Sequence, residues 1–127
     1  MSESDLLLVD AEPHIIELVK LGLADAPFSL HSVASGEEAL DAAQADPPRL
    51  VIMEIQLPGM DGYELCRRLK SQPATSHTSV LFLTVKELEA DREKGYQSGA
   101  DGYLSKPVSP LRLRAEIDYL LGAQKSG

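Results

Sequence analysis

The sequence has 127 residues, 43% of them hydrophobic and 25% charged, with a net charge of −8, enough chain for one domain with its own core. The acidic balance excludes a face built to grip nucleic acid, which needs clustered Lys and Arg, and no apolar run approaches the ~20 residues that cross a bilayer. One cysteine, Cys66, excludes an internal disulfide and suits a reducing compartment. The chain opens on Ser2, Glu3, Ser4 and Asp5, unlike the basic start of a secretory signal. A cytoplasmic location is expected.

Leu6-Leu7-Leu8-Val9 is the first predicted strand, apolar throughout, as suits a strand buried on both faces of a parallel sheet. Pro13 then opens a helix whose stripe is Ile15, Leu18, Val19 and Leu23. The half-polar stretch from Phe28 to Val33 nearly alternates and reads as an outer strand. Ser35 and Glu38 have capping-box spacing before Ala39, Leu40 and Ala43. Leu50-Val51-Ile52-Met53 is a third strand, and Asp61 with Glu64 starts the helix carrying Leu65 and Leu69. Val80-Leu81-Phe82-Leu83 is a fourth strand, followed by a charge-rich helix from Leu88 to Ser98. Gly102-Tyr103-Leu104 is a weaker fifth strand, and Ser109-Pro110 opens a last helix with Leu113, Ile117, Leu120 and Leu121 on one side. The order is β-α five times over, without repeats or an internal linker: a doubly wound α/β sheet with helices on both faces. Residues 1–127 read as one domain, with a core of about 5–121 and a soft tail or cut linker over 122–127.

In such a sheet, functional residues gather at the carboxyl ends of the strands. Those ends carry Asp10 after the first run, Glu54 after the third, Thr84 after the fourth and Lys106 past the fifth. Two acids, one hydroxyl and one lysine thus converge on one rim.

Around these residues, from about Leu6 to Leu121, the chain resembles a response-regulator receiver domain of bacterial two-component systems. The matching pieces are Leu8-Val9-Asp10-Ala11-Glu12-Pro13, Leu57-Pro58-Gly59-Met60-Asp61-Gly62, Leu83-Thr84, and Gly99-Ala100-Asp101-Gly102-Tyr103-Leu104-Ser105-Lys106-Pro107. The resemblance implies a flavodoxin-like (βα)5 fold with strand order 2-1-3-4-5. It implies a partner histidine kinase or downstream effector and a signalling role without catalytic turnover. In that family two adjacent acids help hold Mg²⁺, and an aspartate after the third strand accepts a phosphoryl group. A hydroxyl and a lysine then bind the phosphate, and an aromatic swings inward when the hydroxyl moves. Asp10 matches the first acid, Thr84 the hydroxyl, Lys106 the lysine and Tyr103 the aromatic.

Two positions depart from that pattern. Ala11 stands where the second acid is expected, and Glu54 where the phosphoacceptor is expected. Alanine offers no oxygen to a hard cation, so no metal or cofactor is expected beyond a weak Mg²⁺ site at Asp10 and Glu54. Val85, after Thr84 where the family has a small residue, suggests tighter access. The expectation is a phosphorylation-independent protein-interaction module, a pseudo-receiver. Glu54 then either imitates the phosphorylated state through Lys106 and Thr84 or merely satisfies Lys106 on a state-neutral docking scaffold. The competing expectation is a Mg²⁺-dependent phosphoacceptor, acting at Glu54 or another acid such as Asp61, with or without a removed output domain.

Other residues carry less. Asp61 is well placed to cap a helix, and His14, His31 and His77 show no ligand spacing. Cys66 suits packing better than reactivity. No glycine loop suited to a cofactor phosphate is present, which counts against a small-ligand binder of flavodoxin-like shape. Family dimers often form through the fourth helix, fifth strand and fifth helix using opposite charges. Here Lys94 matches the basic residue of the fourth helix, but Arg112 stands where its partner acid is usual and Glu116 where an arginine is usual. Lys94 facing Arg112 would repel, so that dimer is not expected by default.

Overall fold

The computed structural model describes residues 5–126. Strands β1 (Leu6–Val9), β2 (Leu30–Val33), β3 (Leu50–Met53), β4 (Ser79–Thr84) and β5 (Gly102–Ser105) form one parallel sheet in the order β2-β1-β3-β4-β5. They alternate with helices α1 (Pro13–Gly22), α2 (Gly36–Ala45), α3 (Gly62–Ser71), α4 (Glu89–Gln97) and α5 (Pro110–Ser126). The flavodoxin-like order expected from the resemblance is the order found. The backbone at residues 122–126, read from sequence as a soft tail, lies within α5.

Alternation along each strand divides the core in two. Leu7, Val9, Val51, Met53, Val80, Phe82 and Tyr103 pack under Ala39, Ala43, Leu65 and Leu69 of α2 and α3. Leu6, Leu8, Leu50, Ile52, Leu81, Leu83 and Leu104 pack under Ile15, Val19, Leu113 and Ile117 of α1 and α5. Strand β2, at the sheet edge, starts at Leu30 rather than Phe28, and His31 and Ser32 are exposed. Its half-polar sequence reflects one open edge.

Two caps read from the sequence form. The Ser35 Oγ accepts the Glu38 N–H at 3.2 Å, while the Glu38 carboxylate reaches back to the Ala34 N–H at 3.3 Å. Asp61 Oδ1 accepts the Glu64 N–H at 2.9 Å, which fixes the start of α3 immediately after the loop that follows β3. Helix α4 buries only Gly95 among its own residues, so its charge-rich sequence belongs to a helix most of whose surface faces solvent.

Candidate functional site

Strand register brings the predicted residues to the same end of the sheet. Val9 pairs with Met53, and Thr84 with Ser105, so the next residues, Asp10, Glu54 and Lys106, emerge on one rim. Backbone bonds carry the order past the strand ends: the Glu54 N–H donates to Val9 O at 3.1 Å and the Lys106 N–H to Thr84 O at 2.7 Å. The Lys106-Pro107 peptide is cis.

The four side chains form one connected group. Lys106 Nζ lies 2.9 Å from Asp10 Oδ2 and 2.9 Å from Glu54 Oε2, with its side chain 9% exposed. Glu54 Oε1 accepts the Thr84 hydroxyl and, at 2.7 Å, the Ile55 N–H. Asp10 Oδ1 accepts the Glu12 N–H at 2.9 Å. Asp10, Glu54 and Thr84 are all buried. Burial pushes the Glu54 carboxyl up, but the Thr84 and Lys106 hydrogen bonds and the ammonium charge outweigh it and hold the carboxyl below its ordinary range. Burial pushes Lys106 down, and the hydrogen bonds from its ammonium to Asp10 and Glu54 outweigh that and hold it above the usual lysine range. The group is a buried ammonium between two carboxylates, each hydrogen-bonded on its remaining side.

Tyr103 is not in this cluster. Its ring is buried beneath α4, 5.9 Å from the Phe82 ring centre, and its hydroxyl donates to Lys86 O at 2.7 Å. The link to the cluster runs through the loop after β4: the Lys86 N–H donates to Thr84 Oγ1 at 3.3 Å while its carbonyl receives Tyr103. Arg92 stacks on the ring at 5.1 Å. A Cβ on Gly95 would lie 3.0 Å from the ring, so α4 can rest on an inward Tyr103 because that position is glycine.

Sequence reasoning missed Gly62, Gly95, the Ile55 N–H and the Lys86 carbonyl. A Cβ on Gly62 would lie 2.6 Å from Glu54 O and 2.8 Å from Ile55 Cα. The Gly62 N–H also donates to Ile55 O at 2.8 Å, so α3 docks directly on the backbone that carries Glu54. Its place in the Leu57–Gly62 motif was the available signal; for the backbone groups there was none.

Of the remaining predicted positions, Ala11 is exposed beside the rim. Val85 is 55% exposed and lines a surface groove of about 460 Å³ with Ile15, Leu18, Pro107 and Val108, alongside Lys106. Asp61 caps α3 rather than joining the cluster. His14 pairs with Glu12 at 2.8 Å, and His31 on β2 and His77 in the turn before β4 are exposed and far apart in the chain. Cys66 is buried, and burial pushes its thiol up. On the output face, Lys94 lies over the Tyr63 ring at 4.6 Å, and Arg112 pairs with Glu116 at 3.0 Å.

A magnesium ion takes near-octahedral oxygen coordination. This rim offers the carboxylates of Asp10 and Glu54, Ala11 adds nothing, and the Lys106 ammonium already bridges the two. Among the described residues, no group of three or more His, Cys, Asp or Glu is placed to hold a metal. The donor set is a poor match to a resident Mg²⁺.

Residues 6–118 match the family model described as the response regulator receiver domain. The chain is 39% identical over 122 residues to the response regulator Rre1 of Synechocystis sp., covering 95% of this chain and 53% of that protein. It spans about half the length of the curated relatives it matches first. Among solved structures it superposes on the chemotaxis response regulator CheY4 of Vibrio cholerae with a TM-score of 0.85 and 29% identity, covering 92% of this chain and 98% of that one. The receiver domain of the sensor histidine kinase PA1611 of Pseudomonas aeruginosa gives a TM-score of 0.84 at 27% identity, covering 94% and 98% of the two chains. That structure has a magnesium ion coordinated in its active-site cleft. Among the described residues here, no helix is long and apolar enough to cross a membrane.

Proposed function

The chain belongs to the response regulator receiver family of two-component signalling, and we propose that it is a phosphorylation-independent member, held by Glu54 in a switched arrangement. The observation that carries this reading is the pair of donors on one carboxylate: the Thr84 hydroxyl on Oε1 and the Lys106 ammonium on Oε2. A phosphoryl group on the family's aspartate takes the same two donors. Glu54 reaches one methylene further and supplies a charge of −1 where a phosphate supplies about −1.5 to −2. Thr84 is thereby drawn into the pocket, and buried Tyr103 matches the inward aromatic that follows the hydroxyl.

The same contacts oppose phosphoryl transfer. Both Glu54 oxygens are engaged, and the attacking oxygen is displaced along the longer side chain; misplacement of ~1 Å costs about 100-fold. Transfer also depends on metal charge, and Ala11 removes one oxygen ligand. The domain then acts by binding signalling partners, a histidine kinase or a downstream effector, with neither turnover nor cofactor. The competing reading, a Mg²⁺-dependent phosphoacceptor, has Asp10, Thr84 and Lys106 in its favour.

Intact mass after incubation with a small-molecule phosphodonor and excess Mg²⁺ separates the two. The proposal expects no added phosphoryl group on the wild-type chain, most clearly if Glu54→Asp gains one. A phosphorylated wild-type chain overturns it.

A further inference from the structure

Ser105 ends β5 on the same face of the sheet as Tyr103, and the strand register sets it directly beside Thr84. Neighbouring strands run about 4.8 Å apart, so hydroxyls on paired residues can bond when their side-chain torsions turn them together. Here they do not. The Thr84 hydroxyl donates to Glu54 Oε1 and accepts the Lys86 N–H at 3.3 Å. The Ser105 Oγ is buried and, among the described residues, is the one buried side-chain nitrogen or oxygen with no hydrogen-bond partner.

An orphaned hydroxyl costs stability, because it gives up water and gains no partner in return. Alanine would occupy the same place without that cost, so the serine calls for a physical reason. Thr84 supplies one. It is fully buried, and rotation about its χ1 bond carries the hydroxyl from Glu54 toward Ser105, the paired residue on the neighbouring strand. When it turns, Ser105 gains a partner and the Lys86 N–H is released. The carbonyl of that same Lys86 holds the Tyr103 hydroxyl at 2.7 Å.

We infer that Ser105 is the alternative partner of Thr84, a positioning residue that holds the hydroxyl when Glu54 does not. The inference rests on the reading of Glu54 as the group that draws Thr84 into the pocket. Thr84 then has two discrete resting places, because a threonine side chain occupies staggered rotamers rather than a continuum. On Glu54 it leaves Ser105 without a partner. On Ser105 it leaves Glu54 Oε1 with the Ile55 N–H alone. That exchange narrows the gap between the two arrangements, and a protein partner that binds one of them better shifts the balance with no phosphoryl group.

Urea titration of Ser105→Ala in two settings tests the partnership. With Glu54 in place, the change removes an orphaned hydroxyl. With Glu54→Ala, or Glu54→Leu as a second background lacking an acceptor, it removes the acceptor left to Thr84. Ser105→Ala is expected to lower the folding constant at least ~5-fold more in those backgrounds than in the wild type. Three-bond couplings to Thr84 Cγ2 read the rotamer itself. One rotamer is expected in the wild type, a different one in Glu54→Ala, and averaging among rotamers when Glu54→Ala and Ser105→Ala are combined. If the rotamer changes in Glu54→Ala but is the same with and without Ser105, the inference is overturned and the reading of Glu54 stands. An equal cost of Ser105→Ala in both settings overturns the inference in the same way. A Thr84 rotamer unchanged by Glu54→Ala overturns the reading of Glu54, and this inference with it.

Discussion

Thr84 and Glu54 are joined by a hydrogen bond from the Thr84 hydroxyl to Oε1, the same oxygen that accepts the Ile55 N–H. A side chain at the end of β4 is thus tied to the residue after β3 with no phosphate between them. Glu54→Gln keeps an acceptor for Thr84 but turns an amide toward Lys106. Loss of a charged hydrogen-bond partner of this kind costs ~1.5–3 kcal/mol, to be read as a lower urea midpoint.

That difference depends on pH in a direction set by Glu54. Its folded carboxyl is held below the ordinary glutamate range, so its contribution is present above that range and lost as pH falls through the lowered value. The gap between wild type and Glu54→Gln is expected to be full at neutral pH and to close under acid. Lys106, held above the ordinary lysine range, adds stability fully present below that range and lost only as pH rises through the raised value. Urea midpoints at a series of pH values check both.

Removing the ammonium is expected to be worse than removing one carboxylate. Lys106→Met leaves Asp10 and Glu54 buried with no cation between them. Breaking a buried ionic group from one side costs ~3–5 kcal/mol. The double variant Lys106→Met with Glu54→Leu is expected to recover part of that loss, measured by the same denaturation.

Gly62→Ala tests how α3 holds the site. The new Cβ meets Glu54 O and Ile55 Cα, both backbone atoms that cannot rotate away. Overpacking of this kind costs ~1–3 kcal/mol, against the small gain alanine brings to a helix. Thermal unfolding reads the outcome.

Tyr103 supplies a spectroscopic prediction. Burial pushes its phenol well above the ordinary tyrosine range. Ultraviolet titration is expected to show a late-ionising component that Tyr103→Phe removes. Because the neutral phenol is favoured in the fold, its contribution is lost as pH rises past the ordinary tyrosine range.

Much of this was legible in the sequence because both signals are local. Apolar runs such as Leu50–Met53 mark strands buried on both faces, and Asp10, Glu54, Thr84 and Lys106 follow from reading the residues at their ends. Strand β2 was overdrawn at Phe28 because an edge strand is specified by one neighbour only. The contacts made by Gly62 and Gly95 were not legible, since a missing side chain leaves no mark of what approaches it. Nor was the path from Thr84 through Lys86 to Tyr103, which runs on backbone atoms that every residue possesses.

The proposed switched arrangement has Glu54, without a phosphate, drawing Thr84 into the pocket and favouring the inward Tyr103 that Lys86 O and Gly95 also accommodate. Nuclear Overhauser contacts between the Tyr103 ring and Gly95 Hα, recorded in wild type and Glu54→Ala without phosphodonor, test it directly. Strong contacts are expected in the wild type, with their loss or marked weakening in the variant. Equal contacts in both would show that Tyr103 is buried whatever stands at position 54, and would contradict it.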